Sequence, residues 1–185
     1  RSIRLAAVLG TFCFQAALGY EKGDEVVVIA RPTTQADPLD PDKVTFNYGE
    51  PLEVRAVNGD RLSVLYFGRM STVSTSEVLP QAEAVAYFTA KLAKQESVDD
   101  LVARGRCYAA ADDFELAMND LNRALALDPK NVAGYLERGY AYSLQHDWDR
   151  AFRDVEDAGQ LAPHDPLVLL ARASSRSYYP ATHRS

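Results

Sequence analysis

The side chains that could support catalysis are few and scattered along the chain. The sequence holds 3 His and 2 Cys, and nucleophilic catalysis needs a base beside the nucleophile and a third group that orients the base. His146 lies in a predicted turn between helices, His164 follows a proline that ends a helix, and His183 lies in the C-terminal tail. Cys107 falls on a predicted helix and is expected to be a small buried thiol. The sequence therefore predicts no catalytic site, and we expect a protein that is not an enzyme.

Paired acidic residues are the next candidates, because two carboxylates can bind a metal ion. They occur at Asp112-Asp113 and again at Asp147 and Asp149. Neither pair belongs to a loop with a central glycine and a terminal glutamate, as a calcium site of the helix-loop-helix type requires. We interpret them as residues that cap helices. The 10 glycines show no phosphate-loop spacing, so we predict no metal and no cofactor.

Composition narrows the class of protein further. The 185 residues are 47% hydrophobic and 25% charged, with a net charge of −6. These fractions are typical of a folded globular chain, and the length fits one medium domain or two small ones. A nucleic-acid partner is not expected, because binding phosphates would need clustered Lys and Arg.

The first residues have the pattern of an export signal. Arg1 and Arg4 precede an uncharged run that ends at Leu18, and small residues place a cleavage site after Gly19. This run is shorter than the roughly 20 apolar residues of a membrane span. We therefore predict a signal peptide at residues 1–19, no stable membrane span after cleavage, and a mature protein in the periplasm, in the cell envelope or secreted. The alternative is a buried N-terminal helix.

A repeat with an offset of 34 residues organises the second half of the chain. The matching pairs include Arg104/Arg138, Gly105/Gly139, Tyr108/Tyr142, Phe114/Trp148, Ala117/Ala151, Asp120/Asp154 and Pro129/Pro163. This pattern resembles the tetratricopeptide repeat (TPR), in which two helices pack as a hairpin and hairpins stack into a solenoid. The resemblance implies repeats at residues 98–131 and 132–165.

Single helices are expected on either side of the two repeats. Residues 81–95 resemble the second helix of a repeat and should pack on the first full repeat. Residues 166–178 begin a third copy, which we interpret as a capping helix that covers the last apolar face. The TPR domain is thus expected to cover residues 81–185.

The first half of the chain has the alternating pattern of β-strands. Short β-branched runs at residues 25–30, 52–57 and 62–67 are separated by turns, including one at residues 47–51 and one at Asn58-Gly59. A fourth strand is expected near residues 70–73. This order resembles a bacterial SH3-like barrel over residues 20–80, but the tyrosine-rich motif that binds polyproline is missing. The expected fold class is α+β as two modules, an SH3-like β-barrel followed by an all-α TPR solenoid.

The TPR resemblance implies a concave groove lined by the first helix of each hairpin. The partner-binding residues that it implies are Val102, Arg106, Ala109, Leu136, Glu137, Tyr140 and Leu144. The alternative is that these residues pack against one another or against the barrel. The function implied is a non-catalytic protein-protein interaction module or scaffold with a protein or peptide partner. A second hypothesis is a cell-wall (peptidoglycan) binding protein, which an open cleft formed by Tyr20, Phe46, Tyr48 and Phe67 would favour.

Two packing expectations follow from the repeat. Phe114 and Trp148 should be largely buried within their hairpins. Arg104, Arg138 and Arg172 recur with the 34-residue period, as do Asp120 and Asp154. We predict that at least one of these arginines forms a salt bridge with one of these aspartates.

Overall fold

The structure is a computed structural model that describes residues 19–29, 46–66 and 68–178. The predicted signal peptide lies outside the described residues except for Gly19, and so does His183.

Five antiparallel strands form the N-terminal sheet, in the order β4-β3-β2-β1-β5. The strands are β1 (Glu25–Val28), β2 (Pro51–Asn58), β3 (Arg61–Tyr66), β4 (Arg69–Ser74) and β5 (Val78–Pro80). A 3-10 helix at Thr75–Glu77 joins the last two strands. Strands β4 and β5 are the two edges, and no pairing between them closes the sheet among the described strands. The antiparallel sheet is therefore present, and the SH3-like barrel stays a prediction.

Strand β2 carries an irregularity that changes the pattern expected from its sequence. The pairing register with β3 shifts between Val54 and Ala56, as at a β-bulge, which bends the strand. Leu52 and Val54 are buried, but Ala56 is exposed although alternation placed it on the same face. Asn58 pairs with Arg61, so the two-residue turn is one position later than the predicted Asn58-Gly59.

The helical half consists of a single helix, two hairpins and a final helix. They are α1 (Gln81–Lys94), α2 (Val98–Ala110), α3 (Phe114–Leu127), α4 (Val132–Leu144), α5 (Trp148–Leu161) and α6 (Pro166–Tyr178). Small residues let the paired helices approach closely, as the repeat predicts. A Cβ on Gly105 would lie 2.9 Å from Cγ of Leu121, and a Cβ on Gly139 would lie 3.2 Å from the carbonyl oxygen of Ala151.

Sheet and helices share a hydrophobic core. Val27 of β1 is buried together with Ala84 and Phe88 of α1 and with Ala103 and Cys107 of α2. Helix α1 therefore packs on the first hairpin, as expected, and at the same time on the sheet. Burial of these apolar side chains is the main force that fixes the sheet against the helices.

Phe114 and Trp148 are predicted to be largely buried, and both have intermediate exposure in the structure. Each is the first residue of its helix, α3 or α5, and follows the polar turn of its hairpin. Each residue therefore keeps part of its surface in contact with solvent. Truncation to Ala should cost less than the roughly 3–5 kcal/mol of a fully buried aromatic residue.

The predicted salt bridges between arginines and aspartates are present within each hairpin. Arg104 binds both carboxylate oxygens of Asp120, at 2.7 and 2.8 Å. Arg138 binds Asp154 in the same way, at 2.8 and 2.7 Å. Arg172 differs, because it binds Glu156 of the preceding helix, at 3.0 and 2.8 Å.

Arg138 also connects neighbouring hairpins. Its Nη1 donates a hydrogen bond of 2.8 Å to Asn122 of α3, and Asn122 is the repeat equivalent of Glu156. The planar guanidinium can hold partners on two helices at once, which fixes the angle at which the hairpins stack.

Candidate functional site

A tight turn of the sheet, residues 47–50, contacts the first helical hairpin, α2 and α3. The backbone N–H of Glu50 donates to the carbonyl of Asn47 at 3.0 Å, and Gly49 has φ +81°, which favours glycine. A Cβ on Gly49 would lie 2.6 Å from Cβ and 2.7 Å from Cα of Ala103 on α2. Position 49 therefore requires glycine for two reasons, namely the positive φ and the close approach of the turn to α2.

Arg106 of α2 is the centre of this contact. Its Nη1 donates to the backbone carbonyl of Tyr48 at 3.1 Å and to Glu50 at 3.2 Å. Its Nη2 donates to Glu137 of α4 at 2.5 Å. The two carboxylates raise the pKa of Arg106 although burial acts in the opposite direction. Arg106 thus joins the sheet to both repeats.

Tyr48 fixes the other side of the turn. Its hydroxyl donates to Asp100 at 2.7 Å and accepts a hydrogen bond from Lys91, which also binds Asp100 at 2.7 Å. Burial raises the pKa of Tyr48 to about 12, so the phenol keeps the proton that it donates. The ring packs edge-on against Phe88, with centroids 5.4 Å apart.

Burial also governs the two other titratable groups near Arg106. It raises the pKa of Glu50, an effect that the guanidinium of Arg106 and the amide of Asn47 oppose. It raises the pKa of the Cys107 thiol to about 12. Since the thiolate is the nucleophilic form, Cys107 is an inert, buried thiol at neutral pH.

Beside Arg106 lies a cavity of about 160 Å³. Asn47 and Tyr48 line it from the turn, and Val102 and Arg106 from α2. The opposite wall consists of residues from α4, α6 and the segment before α4, namely Asn131, Ala133, Leu136, Glu137 and Leu167, and Asp99 completes the lining. Drug-sized ligands occupy sites of roughly 300–1,000 Å³. The cavity is smaller than this and has room for a side chain.

The residues predicted to bind a partner fall into two groups. Val102, Arg106 and Ala109 of α2 are buried, because the 47–50 turn and the neighbouring helices cover this end of the groove. On α4 the groove is open: Leu136 and Glu137 line the cavity, while Tyr140 and Leu144 are 53% and 36% exposed.

Sequence reasoning missed the contribution of the turn. It identified a turn at residues 47–51 but gave no role to Asn47 or Glu50, and it considered Tyr48 only for cell-wall binding. The sequence shows polar side chains on both sides of the glycine in this turn. This pattern does not indicate which distant surface of the protein the turn contacts.

The aromatic residues considered for cell-wall binding do not form one open cleft. Tyr20 is buried in the core of the sheet, and Phe46 packs against that core beside Tyr66. Tyr48 faces the helices, and Phe67 lies outside the described residues.

In the described part of the chain, no three residues among His, Cys, Asp and Glu are grouped so that they could hold a metal ion. None of the helices that the structure describes is long and apolar enough to cross a membrane.

Known proteins resemble the helical half. A family model for the TPR repeat matches residues 105–145. Over these residues the chain is similar to the TPR repeat. Repeats of this kind mediate protein–protein interactions, and their homologues are generally non-catalytic.

A curated relative and two solved structures extend this likeness. The small glutamine-rich tetratricopeptide repeat-containing protein 2 of Saccharomyces cerevisiae is 34% identical over 65 residues, which are 35% of this chain and 19% of that protein. The TPR domain of Arabidopsis OM64 matches 54% of this chain and 83% of its own, with 24% identity and a TM-score of 0.50. The first TPR domain of human RPAP3 matches 53% and 78%, with 21% identity and a TM-score of 0.50. The chain thus spans about a fifth of the curated relative, and the structural matches show the fold.

Proposed function

We propose that this protein is a non-catalytic interaction module whose TPR groove binds an extended segment of a partner protein. The observation that carries the proposal is the open surface of α4 next to the cavity. Leu136, Tyr140 and Leu144 follow one another at intervals of four residues, so they share one face of the helix. Leu136 lines the cavity and the other two are exposed. A stripe of this kind matches the apolar side chains of an extended peptide.

In this proposal the sheet is an SH3-like module that caps the first repeat. The five-stranded antiparallel order and the 3-10 helix before β5 support it. Arg106 and Tyr48, which hold the 47–50 turn on α2, fix the cap in place. From the pattern of residues 1–19 we further propose a bacterial protein that is exported to the periplasm, to the cell envelope or out of the cell.

Selection from a displayed library of random peptides on the full chain tests the interaction function. The best peptide is then synthesised, labelled with a fluorophore and titrated with the wild type and two variants. Leu144→Asp places a charge in the groove, and Leu116→Asp makes the same change at an exposed leucine of α3. We expect Leu144→Asp to weaken binding at least tenfold and Leu116→Asp to leave it unchanged, with unaltered circular dichroism for both. Failure to select any peptide, or equal losses in both variants, would contradict the proposal.

A further inference from the structure

The cavity beside Arg106 has an unbalanced charge. Glu50 and Glu137 both bind the single guanidinium of Arg106, so this group of three side chains carries a net charge of −1. All three are poorly exposed, at 8% for Arg106, 20% for Glu50 and 16% for Glu137. Water therefore screens the excess negative charge less than it would at the surface.

The arrangement leaves an acceptor on the cavity wall. Glu137 binds Arg106 through Oε1, and the hydrogen bonds and salt bridges found within the described residues do not engage its Oε2. Glu137 lines the cavity, whereas the guanidinium of Arg106 is directed to the two carboxylates and to the carbonyl of Tyr48. A ligand that enters meets an acceptor that can take a further donor.

The remaining walls suit an aliphatic stem. Val102, Leu136 and Leu167 approach the cavity from three different helices. Lys and Arg side chains combine an apolar stem with a charged head, and they pack the stem on apolar surface while the head finds a polar partner. An anionic ligand would instead meet the carboxylates of Glu137 and Asp99, which line the cavity together with the single cation of Arg106.

We propose that the cavity receives a Lys or Arg side chain of the bound protein segment, with its stem on Val102, Leu136 and Leu167 and its cationic head at Glu137. This inference rests on the proposed function, because it names the chemistry of the peptide that the groove takes. The raised pKa of Glu50, which burial causes, supports it, since a further cation nearby would relieve the cost of keeping that carboxylate ionised.

The test uses the same displayed library of random 12-residue peptides on the full chain. Selected peptides should be enriched in Lys and Arg over Asp and Glu. For a selected peptide, replacing its essential cation by norleucine and replacing Glu137 by Gln should each weaken binding about tenfold or more, because each removes one member of a poorly solvated charge pair. Combining the two changes should cost little beyond either one. Glu115→Gln, at an exposed carboxylate of α3, is the matched control and should leave the dissociation constant unchanged.

The possible outcomes distinguish the failure of the charge preference from the failure of the interaction function. Tight peptides that are neutral or acidic, or a cationic peptide that binds Glu137→Gln as well as wild type, would overturn the charge preference and leave the interaction function intact. If Glu115→Gln weakens binding as much as Glu137→Gln, the attraction comes from the net charge of the protein and the cavity assignment is wrong. If no peptide is selected, the proposed function fails and the inference fails with it.

Discussion

Replacing Arg106 by Met should destabilise the protein strongly and in a pH-dependent way. The substitution keeps an unbranched stem of similar length but removes the guanidinium that lies between Glu50 and Glu137. Removing one partner of a buried ion pair typically costs about 3–5 kcal/mol, because the other charge stays buried without compensation. Both carboxylates keep some exposure, and Glu50 keeps a hydrogen bond from Asn47 at 3.1 Å. We therefore expect the lower end, about 3 kcal/mol at neutral pH.

The direction of the pH effect follows from the pKa of Glu50, which is raised in the folded protein. A folded state that binds a proton more tightly than the unfolded state gains stability as the pH falls through the folded pKa towards the unfolded value. Arg106 opposes this rise, so the variant should raise the pKa of Glu50 further. The loss of stability in Arg106→Met should accordingly shrink on going from about pH 7 to about pH 5.

Urea unfolding followed by far-UV circular dichroism and by the fluorescence of Trp148 measures both effects. The control is a triple variant that combines Arg106→Met with Glu50→Gln and Glu137→Gln. It should recover much of the lost stability, because neutral amides need no buried cation. A deficit below about 1 kcal/mol, or an equal deficit at both pH values, would refute the assignment of Arg106 as the charge that holds the contact together.

Two further changes test the packing of the sheet against the helices. Gly49→Ala should lower the free energy of unfolding by about 3 kcal/mol, because the residue has a positive φ and the new methyl group would clash with α2. Gly59 has a positive φ but open space around it, so Gly59→Ala should lower it by about 1 kcal/mol. Similar losses of stability in urea unfolding would contradict the close contact. Ala84→Asp should lower stability by more than about 3 kcal/mol, because it buries a carboxylate in the shared core. Ala90→Asp, at an exposed position of α1, should melt close to the wild type, and an Ala84→Asp protein that does the same would disprove the packing of α1.

The helical half could be predicted closely because the residues that determine its packing lie near one another in the sequence and recur in each repeat. Glycines that face leucine or backbone atoms, such as Gly105, and the arginine–aspartate pairs recur with the period of the hairpin. Each copy of a repeat makes the same contacts with its neighbours, so one pattern in the sequence describes several interfaces. The partner of Arg172 is the exception, since α6 has no second helix among the described residues and the arginine uses Glu156 instead.

The contact between the sheet and the groove could not be predicted, because it joins residues far apart in sequence. Tyr48 and Asp100 are 52 residues apart, and Arg106 and Glu50 are 56 apart. The sequence does not distinguish a groove arginine that binds a ligand from one that already binds a carboxylate of the same chain. Only the placement of the 47–50 turn decides between these roles, and no local pattern encodes that placement.

The shared core of Val27, Ala84, Phe88, Ala103 and Cys107 has a consequence for how the protein unfolds. A domain boundary at Pro80 would follow the change from strand to helix. Separating the chain there would divide this cluster and leave an apolar face of α1 exposed to solvent. The sheet, α1 and the first hairpin should therefore form one cooperative foldon, whose amides exchange with solvent deuterium at a common rate. The second hairpin and α6 lie outside this cluster, so they should open as a separate unit, at the expense of the bond between Arg106 and Glu137.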